Sequence, residues 1–245
     1  MFKKILLILL LFSIFHNCAS KKLIREENVE ELFQKANELM DKKKYDQAIK
    51  YFSKIVNEYP HTNYIVKSQF LLAECYFLKG DFFQAKLEYE FYTQTFPYAE
   101  DYQTALYKIL LCDLKNLRKT KNLTSLEELK ERFGEFQTNF PDNQFSADIK
   151  AHLFTIDSLI AKGFFDIAFL YYKNDEFNAA KIYFEYVKDS FSETPFKWSS
   201  LYFLANIYYR NNEKEKAEKY LQEIIQKGDK QLKEKAEKLL SQWKK

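Results

Sequence analysis

Residues 28–60 read NVEELFQKANELMDKKKYDQAIKYFSKIVNEYP, and residues 65–97 read IVKSQFLLAECYFLKGDFFQAKLEYEFYTQTFP. Shifted by 37, Ala36, Tyr45, Ala48, Phe52 and Pro60 fall on Ala73, Phe82, Ala85, Tyr89 and Pro97, so every chemical class recurs. The two alanines stand 12 apart, and an aromatic follows the second by 4, about one helical turn. Two antiparallel helices approach closely only where small side chains meet, and the aromatic fills the gap beside them. The spacing therefore predicts one helix hairpin per repeat.

The same ruler extends to the C-terminus. Ala168, Tyr171, Ala180 and Phe184 form a fourth unit, and Ala205, Tyr208, Ala217 and Leu221 a fifth, again 37 apart. A degraded third unit lies between, with Leu110 in the alanine slot of its first helix and Leu129, Phe133 and Pro141 in its second. Leu129 is 44 from Ala85, which predicts seven extra residues in the turn near Asn116 to Asn122. From Leu129 to Ala180 is 51, an excess of 14 over the period; 14 residues are close to four helical turns, so one long helix is expected from about Phe145 to Lys173, bent at Gly163. The small–small–aromatic pattern resembles the tetratricopeptide (TPR) repeat. The predicted fold is all-α: a right-handed α-solenoid of five TPR hairpins with a C-terminal capping helix from Asp229 to Lys245. Ala36, Ala48, Ala73, Ala85, Ala168, Ala180, Ala205 and Ala217 are its expected packing positions.

Composition agrees. The 245 residues contain only 4 Gly and 4 Pro but 24 Phe, 18 Tyr and 2 Trp. So few glycines leave little room for phosphate-binding loops or glycine-punctuated hairpins, which argues against nucleotide-binding α/β folds and β sandwiches. At 47% apolar and 30% charged, the chain can bury a core. The three segments Tyr59-Pro60 to Tyr64, Phe96-Pro97 to Tyr102 and Phe140-Pro141 to Phe145 each bracket a proline with aromatics. This predicts an aromatic clamp between repeats in place of positive-φ caps.

Lys3 and Lys4 precede an eleven-residue apolar run, Ile5 to Phe15. As a helix this run is about 16 Å long, half of a ~30 Å hydrocarbon core, and it reads as a signal peptide. It ends at His16-Asn17-Cys18, which resembles a lipoprotein lipobox and implies cleavage before Cys18 and acylation of that residue. The expected division is 1–17 signal peptide, 18–27 lipidated tether, 28–141 TPR units 1 to 3, and 142–245 the long helix, units 4 and 5 and the cap. Cleavage would reduce the net charge from +3 to +1, without the basic footprint that nucleic acid requires. Ala19 and Ser20 leave no Asp after the cysteine, which by analogy with enterobacterial sorting favours the outer membrane, facing the periplasm.

Cysteine anchor, immediate first repeat, aromatic-Pro linkers and five units together resemble the BamD family of TPR lipoproteins of the β-barrel assembly machinery. More specific are Pro97 to Tyr102 followed by Tyr107, and Asn139-Phe140-Pro141 through Leu159-Ile160-Ala161-Lys162 into Ala168-Phe169-Leu170-Tyr171. The resemblance implies that N-terminal repeats engage C-terminal signals of unfolded outer-membrane proteins, and that C-terminal repeats dock on a POTRA domain of a BamA-like insertase, with other assembly lipoproteins as further partners. From the residues themselves, first helices of the hairpins would line a peptide groove with Phe33, Asn37, Phe70, Glu74, Phe77 and Tyr107. A general envelope scaffold or pilotin-like lipoprotein, serving division, peptidoglycan or secretin assembly, is the alternative.

Catalytic constellations are scarce. His61 and His152 have no second histidine or cysteine pair at ligand spacing, and no nucleophile elbow or phosphate loop occurs, so neither metal, cofactor nor enzymatic activity is expected. Cys75 and Cys112 are 37 apart and are read as buried thiols in equivalent slots.

Overall fold

The computed structural model describes residues 28–120 and 122–243, so Cys18 and the signal segment lie outside the described residues. The described residues form eleven helices and no strand. No described helix is long and apolar enough to cross a membrane. The chain divides into two compact units, residues 1–81 and 82–245. The first holds α1 (Val29–Asp41), α2 (Tyr45–Glu58) and α3 (Ile65–Lys79). In the second are α4 (Phe82–Thr95), α5 (Tyr102–Thr120), α6 (Leu123–Asn139), α7 (Ser146–Lys173), α8 (Phe177–Ser190), α9 (Phe196–Arg210), α10 (Lys214–Lys227) and α11 (Lys230–Trp243). Within each unit, helices pack chiefly on their sequence neighbours, as in a TPR-type α-solenoid.

All eight spacing alanines are fully buried. In every second helix of a hairpin the buried face includes a triad at 0, +4 and +7: Ala48, Phe52, Ile55; Ala85, Tyr89, Tyr92; Leu129, Phe133, Phe136; Ala180, Phe184, Val187; Ala217, Leu221, Ile224. That spacing keeps one stripe on a 3.6-residue helix. Caps fix several starts: Asn28 accepts from the Glu30 amide at 3.0 Å, Asn122 from Ser125 at 3.1 Å and Asp229 from Leu232 at 3.0 Å.

The turns inside hairpins depart from expectation. Lys43 (φ 57°), Gly80 (φ 88°), Asp175 (φ 61°) and Asn212 (φ 64°) all adopt the left-handed conformation, in two pairs 37 apart. The residue after each donates its amide to a carbonyl five back, Lys44 to Leu39, Asp81 to Tyr76, Glu176 to Tyr171 and Glu213 to Tyr208, at 2.8–3.0 Å. These are Schellman caps. Positive-φ turns are therefore present, but glycine fills only one of these four.

The seven extra residues of the third unit also sit elsewhere than expected. α5 is four residues longer than α3 and α6 three residues longer than α4, so helix extension absorbs them and α6 starts directly after its Asn122 cap. The long helix α7 has 28 residues and runs through Gly163. Ile149, Ile156 and Ile160 pack its first half against α5 and α6, while Ala168 joins the next core with Ala180 and Phe184. Gly163 faces Leu123 of α6: a Cβ there would meet the Leu123 Cδ2 head-on and Cδ1 and Cγ at 3.1 and 3.2 Å. Close approach of a neighbouring side chain accounts for this glycine. Ser68 and Ser200, fully buried in α3 and α9, stand at the same place, five residues before the spacing alanine.

Candidate peptide-binding face

The first helices of the hairpins carry an aromatic three residues before the spacing position: Phe33, Phe70, Tyr107, Phe165 and Tyr202. On three of them, Phe33, Tyr107 and Phe165, the aromatic at the start of the next first helix is seated. Phe33 meets Tyr64 at 5.0 Å, Tyr107 stacks on Phe145 at 4.1 Å with 12° between planes, and Phe165 meets Phe196 at 5.7 Å. The second aromatics of two of the proline brackets, Tyr64 and Phe145, thus close on a ring of the preceding first helix, and Phe140 and Phe145 both pack on Phe136. In the linkers, the carbonyls of Tyr59, Phe96, Phe140 and Phe191 accept amide hydrogen bonds from the residues three on, Thr62, Ala99, Asn143 and Thr194. Side chains of Thr62, Asn143 and Thr194 donate to the same carbonyls at 3.0, 2.6 and 2.9 Å. The fourth linker, Phe191 to Phe196, repeats this geometry although its proline is at 195, after the turn.

This clamp corrects part of the expected groove. Tyr107 is 4% exposed and its hydroxyl lies 3.1 Å from His152 Nε2. Burial, reinforced by Asp148, pushes the Tyr107 phenol up to about 12. Burial also lowers His152; Lys115 and Arg118 add to this and Asp148 opposes it. Phe70 is 6% exposed, with the Lys67 ammonium 5.3 Å from its ring centroid. Both rings are core, while Phe33 is half-buried against Phe52 and Tyr64.

Asn37, Glu74 and Phe77 remain partly exposed on α1 and α3. The Asn37 amide donates to the Phe33 carbonyl at 2.8 Å, one turn back. Beneath this face Ala36, Leu39, Ala48, Phe52, Leu72 and Cys75 form a core shared by α1, α2 and α3. Lys79 donates to Asp46 at 2.6 Å and ties α3 to α2. Asn37 on α1 and Glu74 and Phe77 on α3 thus offer an amide, a carboxylate and an aromatic ring, groups of the kind that bind a peptide backbone and an apolar side chain. Sequence reasoning expected an aromatic clamp but placed Phe33 and Tyr107 in the groove, because a −3 aromatic looks like a groove residue until the ring that covers it is known. The signal was present in the 37-residue spacing of Phe33, Phe70 and Tyr107 itself.

Cys75 and Cys112 are both buried. Burial, with Glu74 nearby, pushes the Cys75 thiol up to about 12, which suits packing rather than nucleophilic chemistry. Among the described residues no three His, Cys, Asp or Glu side chains gather as a metal site.

Several solved structures resemble the chain at low identity. MamA from Desulfovibrio magneticus RS-1 matches with TM-score 0.37 and 10% identity, covering 82% of this chain and 94% of that one. A thermophilic TPR protein of Thermus thermophilus matches with TM-score 0.37 and 13% identity over 87% and 99%. A tetratricopeptide repeat protein from Parabacteroides merdae ATCC 43184 matches with TM-score 0.30 and 12% identity over 88% and 87%. The family model YfiO, described as an outer membrane lipoprotein, matches residues 25–223, from before the first repeat into the last helix of the fifth. The chain belongs to the YfiO family of outer membrane lipoproteins.

Proposed function

We propose that this protein is a non-enzymatic adaptor in outer-membrane protein assembly, held on the periplasmic side of the outer membrane by lipid on Cys18. The observation that carries the reading is the family match across residues 25–223, and the partly exposed face of α1 and α3 is compatible with it. In this reading Asn37, Glu74 and Phe77 receive the C-terminal signal of an unfolded barrel protein, with Phe33 as the wall between surface and clamp. The buried rings Phe70 and Tyr107 belong to the core and touch no peptide. A POTRA domain of a BamA-like insertase docks on the C-terminal repeats. A tether of ten residues between Cys18 and Asn28 spans at most about 35 Å, which keeps the first repeat close to the bilayer.

A peptide ending in an aromatic β-signal, labelled and titrated with the protein in detergent, tests the site. Asn37→Ala with Phe77→Ala should weaken binding by roughly tenfold with unchanged circular dichroism, the scale of losing one anchoring ring. Equal binding by parent and double variant would place the peptide elsewhere.

A further inference from the structure

In the second unit, α4 and α6 flank α5 and leave an open cleft of about 260 Å³ between them. Leu106, Ile109 and Leu110 of α5 form its floor, and Phe136 and Phe140 one wall. Toward the N-terminal end of α6 the slot is closed by charge: Asp113 of α5 accepts from Lys86 of α4 at 2.7 Å and from Arg132 of α6. On α4, which gives Glu90 to the cleft, Phe83, Leu87 and Phe91 stand 63%, 44% and 51% exposed, one turn apart along about 12 Å of helix. Glu90, Arg132, Glu135 and Asn139 complete the cleft's lining, and the exposed apolar row on α4 together with this partly apolar cleft offers a ridge and groove of the form that helices interlock with.

Charge selects the occupant. α6 exposes Glu127, Glu128, Glu131 and Glu135, of which Glu135 lines the cleft. The two cations of α6 do not offset them: Lys130 is held by Asp157 at 2.6 Å and Arg132 by Asp113. None of the four glutamates has an ion pair among the described residues. The chain also shows how such a surface is covered elsewhere. α11 carries Lys230, Lys233, Lys235 and Lys238, and lays Leu232, Leu239, Leu240 and Trp243 on the core of α9 and α10, with Trp243 stacked on Tyr209 at 4.0 Å.

We propose that the α4–α6 slot receives a basic amphipathic helix of another protein, its apolar side chains entering the cleft and resting on Leu87 and Phe91, its Lys or Arg flank facing the α6 glutamates. This surface belongs wholly to the second unit and does not depend on how the α1–α3 face is used.

The test uses the full chain in detergent and two labelled helical peptides, both with Leu at i, i+3, i+4 and i+7, one with a Lys flank and one with a Glu flank. By fluorescence anisotropy, the Lys peptide should bind roughly tenfold or more tightly than the Glu peptide, and the difference should shrink in high salt. Leu87→Asp with Phe91→Asp, both at exposed positions, should lose at least about tenfold of that affinity. Glu131→Lys with Glu135→Lys should reverse the preference between peptides. Equal binding of both peptides, full binding by the Leu87/Phe91 variant, or an unreversed preference would overturn the proposal. So would self-association of the parent chain that the Leu87/Phe91 variant abolishes, because the slot would then belong to a second copy.

Discussion

Gly163→Ala should fail to stabilise α7 although it sits in the middle of a helix, where the ordinary rule predicts a gain. Alanine is favoured over glycine in a helix interior by about 1 kcal/mol. Here the added methyl meets Leu123 of α6, with Cδ1 and Cγ at 3.1 and 3.2 Å and Cδ2 nearer still. Forcing a methyl into a filled contact costs about 1–3 kcal/mol. The net expectation is a loss of about 0–2 kcal/mol, and its cause is testable because Leu123 is half-buried and can be shortened. In a Leu123→Ala background the obstruction is gone, and Gly163→Ala should then stabilise by about 1 kcal/mol. The cycle thus predicts a reversal of sign and a coupling of about 1–3 kcal/mol between residues forty positions apart in sequence. Urea denaturation of the four proteins, followed by circular dichroism, reads it. If Gly163→Ala stabilises equally with and without Leu123, the glycine is not explained by close approach of α6, and a bend in α7 becomes the better account.

Other outcomes follow from the same packing. Phe184, fully buried, stacks on Phe203 at 5.3 Å and meets Phe165 at 5.5 Å, so Phe184→Ala should cost about 3–5 kcal/mol and lower Tm by about 10 °C; a fall of under about 3 °C would contradict its place at the centre of that core. His152 is held below its ordinary value of 6.5, so the unfolded chain takes its proton first as pH falls. Stability should therefore be unaffected by His152 above about pH 6.5 and decline from there down to its folded pKa, with His152→Gln removing that part of the slope; an unchanged profile in the variant would refute the assignment. Lys43 carries left-handed strain of about 1–2 kcal/mol that glycine avoids, against about 0.5–1 kcal/mol of extra chain entropy, so Lys43→Gly should be neutral to stabilising by about 1 kcal/mol. Gly80→Ala, where no atom lies within 4 Å of the added methyl, should be neutral to destabilising by the same amount, and a loss above about 3 kcal/mol would point to something other than backbone strain.

Much of the fold was legible because it is set by steric rules that repeat. Small residues at helix crossings and an aromatic one turn on read directly as Ala48 with Phe52 and Ala180 with Phe184, all four fully buried. The face-preserving excess of 14 residues correctly located α7. What was not legible depends on partners remote in sequence. Phe33, Phe70 and Tyr107 have the composition of a peptide groove, but Tyr107 is covered by Phe145 and Phe33 by Tyr64. That Leu123 lies against Gly163 is equally a matter of a partner forty residues away. The seven extra residues could have entered a turn or two helices, and the excess alone does not choose between them. Left-handed caps escaped because Lys43 carries no composition signal, whereas Asn212 and Asp175 are residue types that tolerate positive φ and could have been suspected.

The central claim is that this YfiO-family lipoprotein works in barrel assembly at the outer membrane. Affinity purification of the full chain from detergent-solubilised envelope addresses it most directly, with the co-purifying proteins identified and quantified by mass spectrometry. Assembly function predicts a POTRA-bearing β-barrel insertase at near-stoichiometric yield. Recovery of secretin, division or peptidoglycan-synthesis proteins without that insertase would contradict it.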